Sequence, residues 1–96
     1  MRVVYHPAVQ TDVSQVLRHY DSINDRLGDE FWEELNVFIN RAAAHPGRFH
    51  FETRDTRRVN LTRFPYHFLF REVPGAIRIT VIRHHKQRPG HGLKRR

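Results

Sequence analysis

The chain has 96 residues, enough for one hydrophobic core and too few for two domains. Its 17 Lys and Arg outnumber 10 Asp and Glu, for a net charge of +7, and there is no cysteine, which excludes disulfides, Cys-ligated zinc and thiol nucleophiles. No apolar run is long enough to span a bilayer and the opening MRVVYHPAVQ has no apolar signal region, so a cytoplasmic location and no membrane partner are expected.

The charge is unevenly spread. Residues 1–46 hold four arginines against seven acids, a net −3, whereas residues 47–96 hold thirteen basic against three acidic residues, a net +10. Such a half should face an anionic partner. Fifteen of the basic residues are arginine, whose planar fork grips phosphate or carboxylate at two points.

Val3, Val4 and Tyr5 form a short apolar run that reads as an opening strand, stopped by His6 and Pro7. Val9, Val13, Val16, Leu17, Tyr20 and Ile23 recur at spacings of three and four and predict a helix from about Pro7 to Ile23. Asp21, Ser22, Asn24 and Asp25 supply a turn and several possible N-caps. Leu27, Phe31, Leu35, Phe38 and Ala42 then make a second stripe, widened by Trp32 and Ile39 and weakened at its start by Gly28; it stops at His45-Pro46-Gly47. So short a connection predicts an antiparallel helical hairpin.

Residues 48–56 show no period and read as a loop. Beyond them the apolar period becomes two: Val59 and Leu61 in RRVNLTR, Phe68 and Phe70 in YHFLFRE, and Ile77, Ile79 and Val81 in AIRITVIR predict three consecutive strands. Pro74-Gly75 suits a type II turn between the last two. The expected fold class is α+β: an N-terminal strand, an antiparallel two-helix hairpin and a three-strand antiparallel meander. The hairpin covers one sheet face, over Phe68, Phe70, Ile77, Ile79 and Val81, and leaves the other to solvent. Residues 90–96, GHGLKRR, read as a mobile basic tail.

The combination of YHPAVQTDV, a two-helix segment ending in AAAHPGRF, and RRVNLTRFPYHFLFREVPGAIRITVIRHHKQRP resembles the RelE/ParE toxin superfamily, the plasmid stabilisation toxins. Its most specific part is Arg63-Phe64-Pro65-Tyr66, then strand, tight turn and strand, then His84 with Arg88-Pro89. The resemblance implies the same fold and a toxin of a type II toxin–antitoxin pair, held by a cognate antitoxin that covers it. It also implies two mechanisms: RelE-like members cut mRNA on the ribosome, and ParE-like members poison DNA gyrase.

Cleavage of RNA through its 2′-hydroxyl needs a base, an acid and cations for the phosphate. Arg58, Asn60 and Thr62 oppose Val59 and Leu61 on the sheet, and Arg63, Arg83, His84 and Arg88 fall near strand ends. An imidazole is the side chain suited to proton transfer near neutral pH, so His84 is the proton-transfer candidate, with Arg63 and Arg83 beside it if the chain is a nuclease. As target- or phosphate-binding residues, Arg58, Arg63, Arg83, His84 and Arg88 form the candidate set. RelE-like nucleases carry lysine-rich segments or a Glu, Arg, His set with an aromatic hydroxyl near the end of the chain. Here only Lys86 and Lys94 are present, no tyrosine follows Gly75, and Glu52, the possible acidic member, lies in the loop. The ParE-like branch, with gyrase as the target and growth inhibition by binding, is therefore the expectation; ribosome and mRNA are the alternative, and a basic nucleic-acid-binding module without toxicity is the third. Trp32, one residue off its stripe, is the candidate for partner contact. His84, His85 and His91 do not read as a metal site, because adjacent residues on a strand point to opposite faces. No cofactor is implied.

Overall fold

The computed structural model describes residues 1–96. The run Arg2–Tyr5, with β-branched Val3 and Val4 at its centre, forms β1; α1 (Val9–Asp21) and α2 (Asp25–Ala44) follow; a 3-10 turn, Pro46–Arg48, leads to β2 (Arg57–Asn60), β3 (Tyr66–Val73) and β4 (Ala76–His84). The class is α+β, two helices against one four-stranded sheet in the order β1-β4-β3-β2. Strands β2, β3 and β4 pair antiparallel, but β1 pairs parallel with the first half of β4, Arg2 opposite Ala76 through Tyr5 opposite Ile79, so the sheet is mixed. No helix is long and apolar enough to cross a membrane.

The helix ends follow local chemistry. Asn24 caps α2, its side-chain oxygen accepting the Arg26 N–H at 2.7 Å. α1 begins two residues later than the periodicity predicts, and the His6 ring accepts the Ala8 N–H at 3.0 Å just before it. Ile23 falls beyond the helix end and is exposed rather than on its stripe. Gly28 is buried, and a Cβ there would lie 2.1 Å from an Asp21 carboxylate oxygen, so its small size serves the close approach of the helices.

Val9, Val16, Phe31, Leu35, Ile39, Val59, Phe68, Phe70, Ile77 and Ile79 build the core between helices and sheet. Burial of a side chain such as Phe31, fully inaccessible, contributes roughly 2–3 kcal/mol. Phe64 and Tyr66 close one end of this core in an aromatic group: Tyr20 and Phe64 rings stand 5.1 Å apart, and Phe31 stands 5.5 Å from both Phe64 and Tyr66.

Three expectations are corrected. Val81 does not lie beneath the helices. Leu69 pairs with Val81 and Phe70 with Ile79, so Thr80 is an extra residue, a β-bulge, and the alternation of β4 reverses after it. Ile82 joins the core, while Val81 and Leu69 are fully buried on the opposite, outer face. That face is not simply left to solvent, because residues 86–96 lie over part of it as a strap. Gly92, at φ +79°, sits so close to Val81 that a Cβ would come within 2.6 Å of its methyl carbon. The segment read as a mobile tail is tied along its length: Arg95 forms a two-pronged pair with Asp12 of α1 at 2.6 and 3.2 Å, Arg96 pairs with Asp55 at 2.6 Å, and the Arg96 carbonyl accepts from Arg71 and Arg78.

The shortness of β1 leaves the second half of β4 without a neighbour strand on the edge away from β3. Side chains take its place: Asp12 accepts the Ile82 N–H at 3.0 Å, Arg95 donates to the Thr80 carbonyl at 3.2 Å, and the Gln87 side chain accepts the His84 N–H at 2.7 Å.

Candidate functional site

On the outer face, at the end where β2, β3 and β4 meet the strap, six side chains converge. Alternation along β3 turns His67 outward between the core residues Tyr66 and Phe68, and the bulge at Thr80 turns Arg83 to the same side. The β2 register adds Arg58 and Asn60, opposite Leu69 and His67. Glu52 arrives from the loop before β2, anchored where its N–H donates to the Thr56 carbonyl at 2.7 Å, and His85 follows directly on β4.

Arg83 is the hub, with a side chain only 1% exposed. Its Nε donates to His67 Nε2 at 2.8 Å, Nη1 to the carbonyls of Pro89 and His91 at 2.7 Å each, and Nη2 to Glu52 Oε2 at 3.1 Å. The same Glu52 oxygen stands 3.5 Å from Arg58 Nη1. One carboxylate thus serves two guanidinium groups, and the cluster keeps a positive balance. Arg58 Nε also donates to Asn60 at 2.7 Å.

His67 Nδ1 and His85 Nδ1 are 2.9 Å apart, and Arg58 Nη2 is 3.5 Å from the same His85 nitrogen. Burial, then the positive charges of Arg58 and Arg83, hold the His67 pKa down to about 3. His85 is lowered as well, by burial first and then by Arg58 and His84. Both rings are neutral at physiological pH. Burial likewise lowers Arg83, against the opposing pull of Glu52.

The residues expected to form the site are divided. Arg58 and Arg83 meet on the outer face, but Arg83 is enclosed and its guanidinium is bonded within the chain, so in this fold it supports a surface rather than forming one. His84 turns to the helix side, its ring edge-on to Tyr66 at 4.9 Å and its Nδ1 accepting the Lys86 N–H at 3.0 Å. A small notch of about 180 Å3 there also includes Asp12, Gln15, Gln87 and His91. Arg63 is exposed at the corner between β2 and β3, paired with Glu30 of α2, while Thr62 and the Arg63 N–H both bond Glu34. Arg88 is exposed on the strap and makes no ion pair. Trp32, half exposed, rims a separate apolar groove of about 480 Å3 along the helical hairpin, walled by Tyr5, Val13, Leu17, Leu35 and Ile39.

His67 and His85 are the members that sequence reasoning missed as a pair. Counting outward from Phe68 places His67 on the outer face, but the run HFLF is buried on both faces and hides the period. His84 and His85 do point to opposite sides, and the side chains form no group of three or more that could hold a metal ion.

As placed, the cluster can hold an anion and orient imidazole protons. A lone pair of His85 for proton abstraction would require breaking its bond to His67, and Glu52 Oε2 is held by Arg83 and Arg58, so the acid–base capacity left over here is the second carboxylate oxygen of Glu52. No protein-family model matches the chain and no curated protein matches it, so what the site can do is read from these residues.

Proposed function

We propose that the chain is the toxin of a type II toxin–antitoxin pair, a ParE-like member of the RelE/ParE superfamily that arrests growth by binding DNA gyrase and is silenced by a cognate acidic antitoxin. One observation carries this reading: the two stretches on which the resemblance rests are in contact. The Pro65 carbonyl of the Arg63-Phe64-Pro65-Tyr66 corner accepts the His85 N–H at 2.9 Å, and Tyr66 meets His84 ring to ring. That motif pieces distant in sequence are adjacent in space supports reading them as one functional corner. Exposed Arg63 and Arg88, with the partly exposed Arg58 and His84, supply the contacts to the target, Arg83 braces them from within, and Trp32 at the apolar groove meets the antitoxin. The +10 half supplies the attraction for an acidic partner.

A specific observation favours a second reading, the RelE-like ribosome-dependent mRNA endonuclease. Glu52, 3.1 Å from Arg83 and 3.5 Å from Arg58, stands as a carboxylate base candidate among cations beside two imidazoles, a set suited to phosphodiester chemistry. Purified chain incubated with gyrase and relaxed plasmid, and separately with translating ribosomes, decides between them. Loss of supercoiling or trapped DNA cleavage is the expected result; truncated transcripts with unaffected gyrase would replace the first reading by the second, and silence in both assays would remove both.

A further inference from the structure

The hydrogen bonds around Arg83 determine where the histidine protons reside. A guanidinium nitrogen only donates, so His67 Nε2, 2.8 Å from Arg83 Nε, must be the acceptor. Neutral His67 then carries its proton on Nδ1. That N–H points at His85 Nδ1, 2.9 Å away, which must accept it, and the proton of His85 is left on Nε2. The rings are nearly parallel, 13° apart, with centroids separated by 5.1 Å. The nitrogens are far closer than the centroids, so the rings meet edge to edge, as an N–H···N bond requires.

We propose that Arg83 and His67 are positioning residues that lock exposed His85 as an Nε2–H donor, and that this donor and Arg58 form a phosphate-binding site on the outer face. The lock is buried: His67 is 2% exposed and Arg83 equally so, while His85 is open to solvent. Arg58 already gives Nε to Asn60 and turns Nη1 toward Glu52, so each edge of its fork has one nitrogen engaged, and Nη2, 3.5 Å from His85 Nδ1, is the donor left beside the histidine. A planar carboxylate gripped at two adjacent nitrogens is therefore poorly served. Single N–H donors from two different side chains suit an anion with acceptors in several directions, which is a tetrahedral phosphate. The site does not depend on whether gyrase or the ribosome is the target.

Long-range proton–nitrogen NMR of the full chain at neutral pH reads both tautomers directly. His67 protonated on Nδ1 and His85 on Nε2 is the expected pattern; either proton on the other nitrogen overturns the lock without need of a variant. In His67→Phe, which keeps an aromatic ring but cannot donate, His85 should exchange between tautomers and titrate closer to the ordinary value of about 6.5. A His85 unchanged in tautomer and titration would show that His67 does not position it. Inorganic phosphate, titrated at constant ionic strength, should shift the His85 Nε2 resonance, with affinity falling about tenfold in His85→Ala. Sodium acetate at the same ionic strength should leave that resonance in place. An equal response to acetate overturns the assignment to phosphate, and no response to either overturns the site.

Discussion

Arg83→Met removes the hub while keeping a side chain of similar length, and the structure gives the size of the effect. The guanidinium bonds His67, Glu52 and the carbonyls of Pro89 and His91, from a position 1% exposed. Methionine leaves the His67 acceptor buried and unmatched and takes one of two cations from Glu52. Breaking a buried charge pair by removing one partner costs about 3–5 kcal/mol. Glu52 keeps Arg58 and is a quarter exposed, and the strap carbonyls can turn to water, so the lower end applies, about 3 kcal/mol. For a domain of this size that is roughly 12–24 °C in Tm. Urea melts monitored by circular dichroism measure the loss, and amide exchange should show the strap around residues 89–93 released first. A variant within about 1 kcal/mol of the parent, with the strap still protected, would refute the view that Arg83 is a structural clamp.

Gly92→Ala puts a methyl group against Val81 at a backbone φ of +79°, so it should destabilise the fold by more than about 1 kcal/mol in the same melts, whereas a strap free in solution would leave stability unchanged. His67 has a folded pKa of about 3, below its unfolded value, so the unfolded chain takes the proton first. Stability should be full above about pH 6.5 and fall with acid by about 1.4 kcal/mol per pH unit below it; His67→Asn should flatten the slope between pH 6 and 5, and an unaltered slope would mean that His67 is not the buried neutral group. His84→Gln can still accept the Lys86 N–H but cannot titrate, so under a binding mechanism it should remain folded and continue to arrest growth; a folded, antitoxin-binding variant that no longer does so would move the endonuclease reading to first place.

The helical hairpin was legible because its stripes and stops are local: Val9, Val16, Phe31, Leu35 and Ile39 are buried where the period of 3.6 puts them. The antiparallel pairing of β3 with β4 was legible too, in the turn at Pro74-Gly75. Other features rest on contacts between residues far apart in the chain. The parallel pairing of β1 with β4 leaves no mark in RVVY, and GHGLKRR reads as a free basic tail because its partners, Asp12, Asp55, Arg71 and Arg78, lie elsewhere. Glu52 sat in a segment without period, and only the Phe51 bridge to Arg57 and the bonds to Thr56 bring it to the arginines.

The bulge at Thr80 links these misses to function. An unbroken alternation from Ile77 and Ile79 through Val81 would aim Arg83 and His85 at the helices and His84 at the outer face. One unpaired residue reverses all three. Arg83 then reaches Glu52, His67 and the strap, His85 meets His67, and His84 settles beside Tyr66 at the RFPY corner. The bulge also lies where β1 ends, so the released edge of β4 is free to accept Asp12, Arg95 and Gln87 in place of a strand. The groups that finish the fold at this end are therefore the groups that shape the candidate site. A substitution at Arg83 that abolishes growth arrest cannot be assigned to lost target contact until its folding has been measured, whereas one at Arg58, His85 or Arg88, whose side chains are partly or fully exposed, can be read more directly as a change in binding.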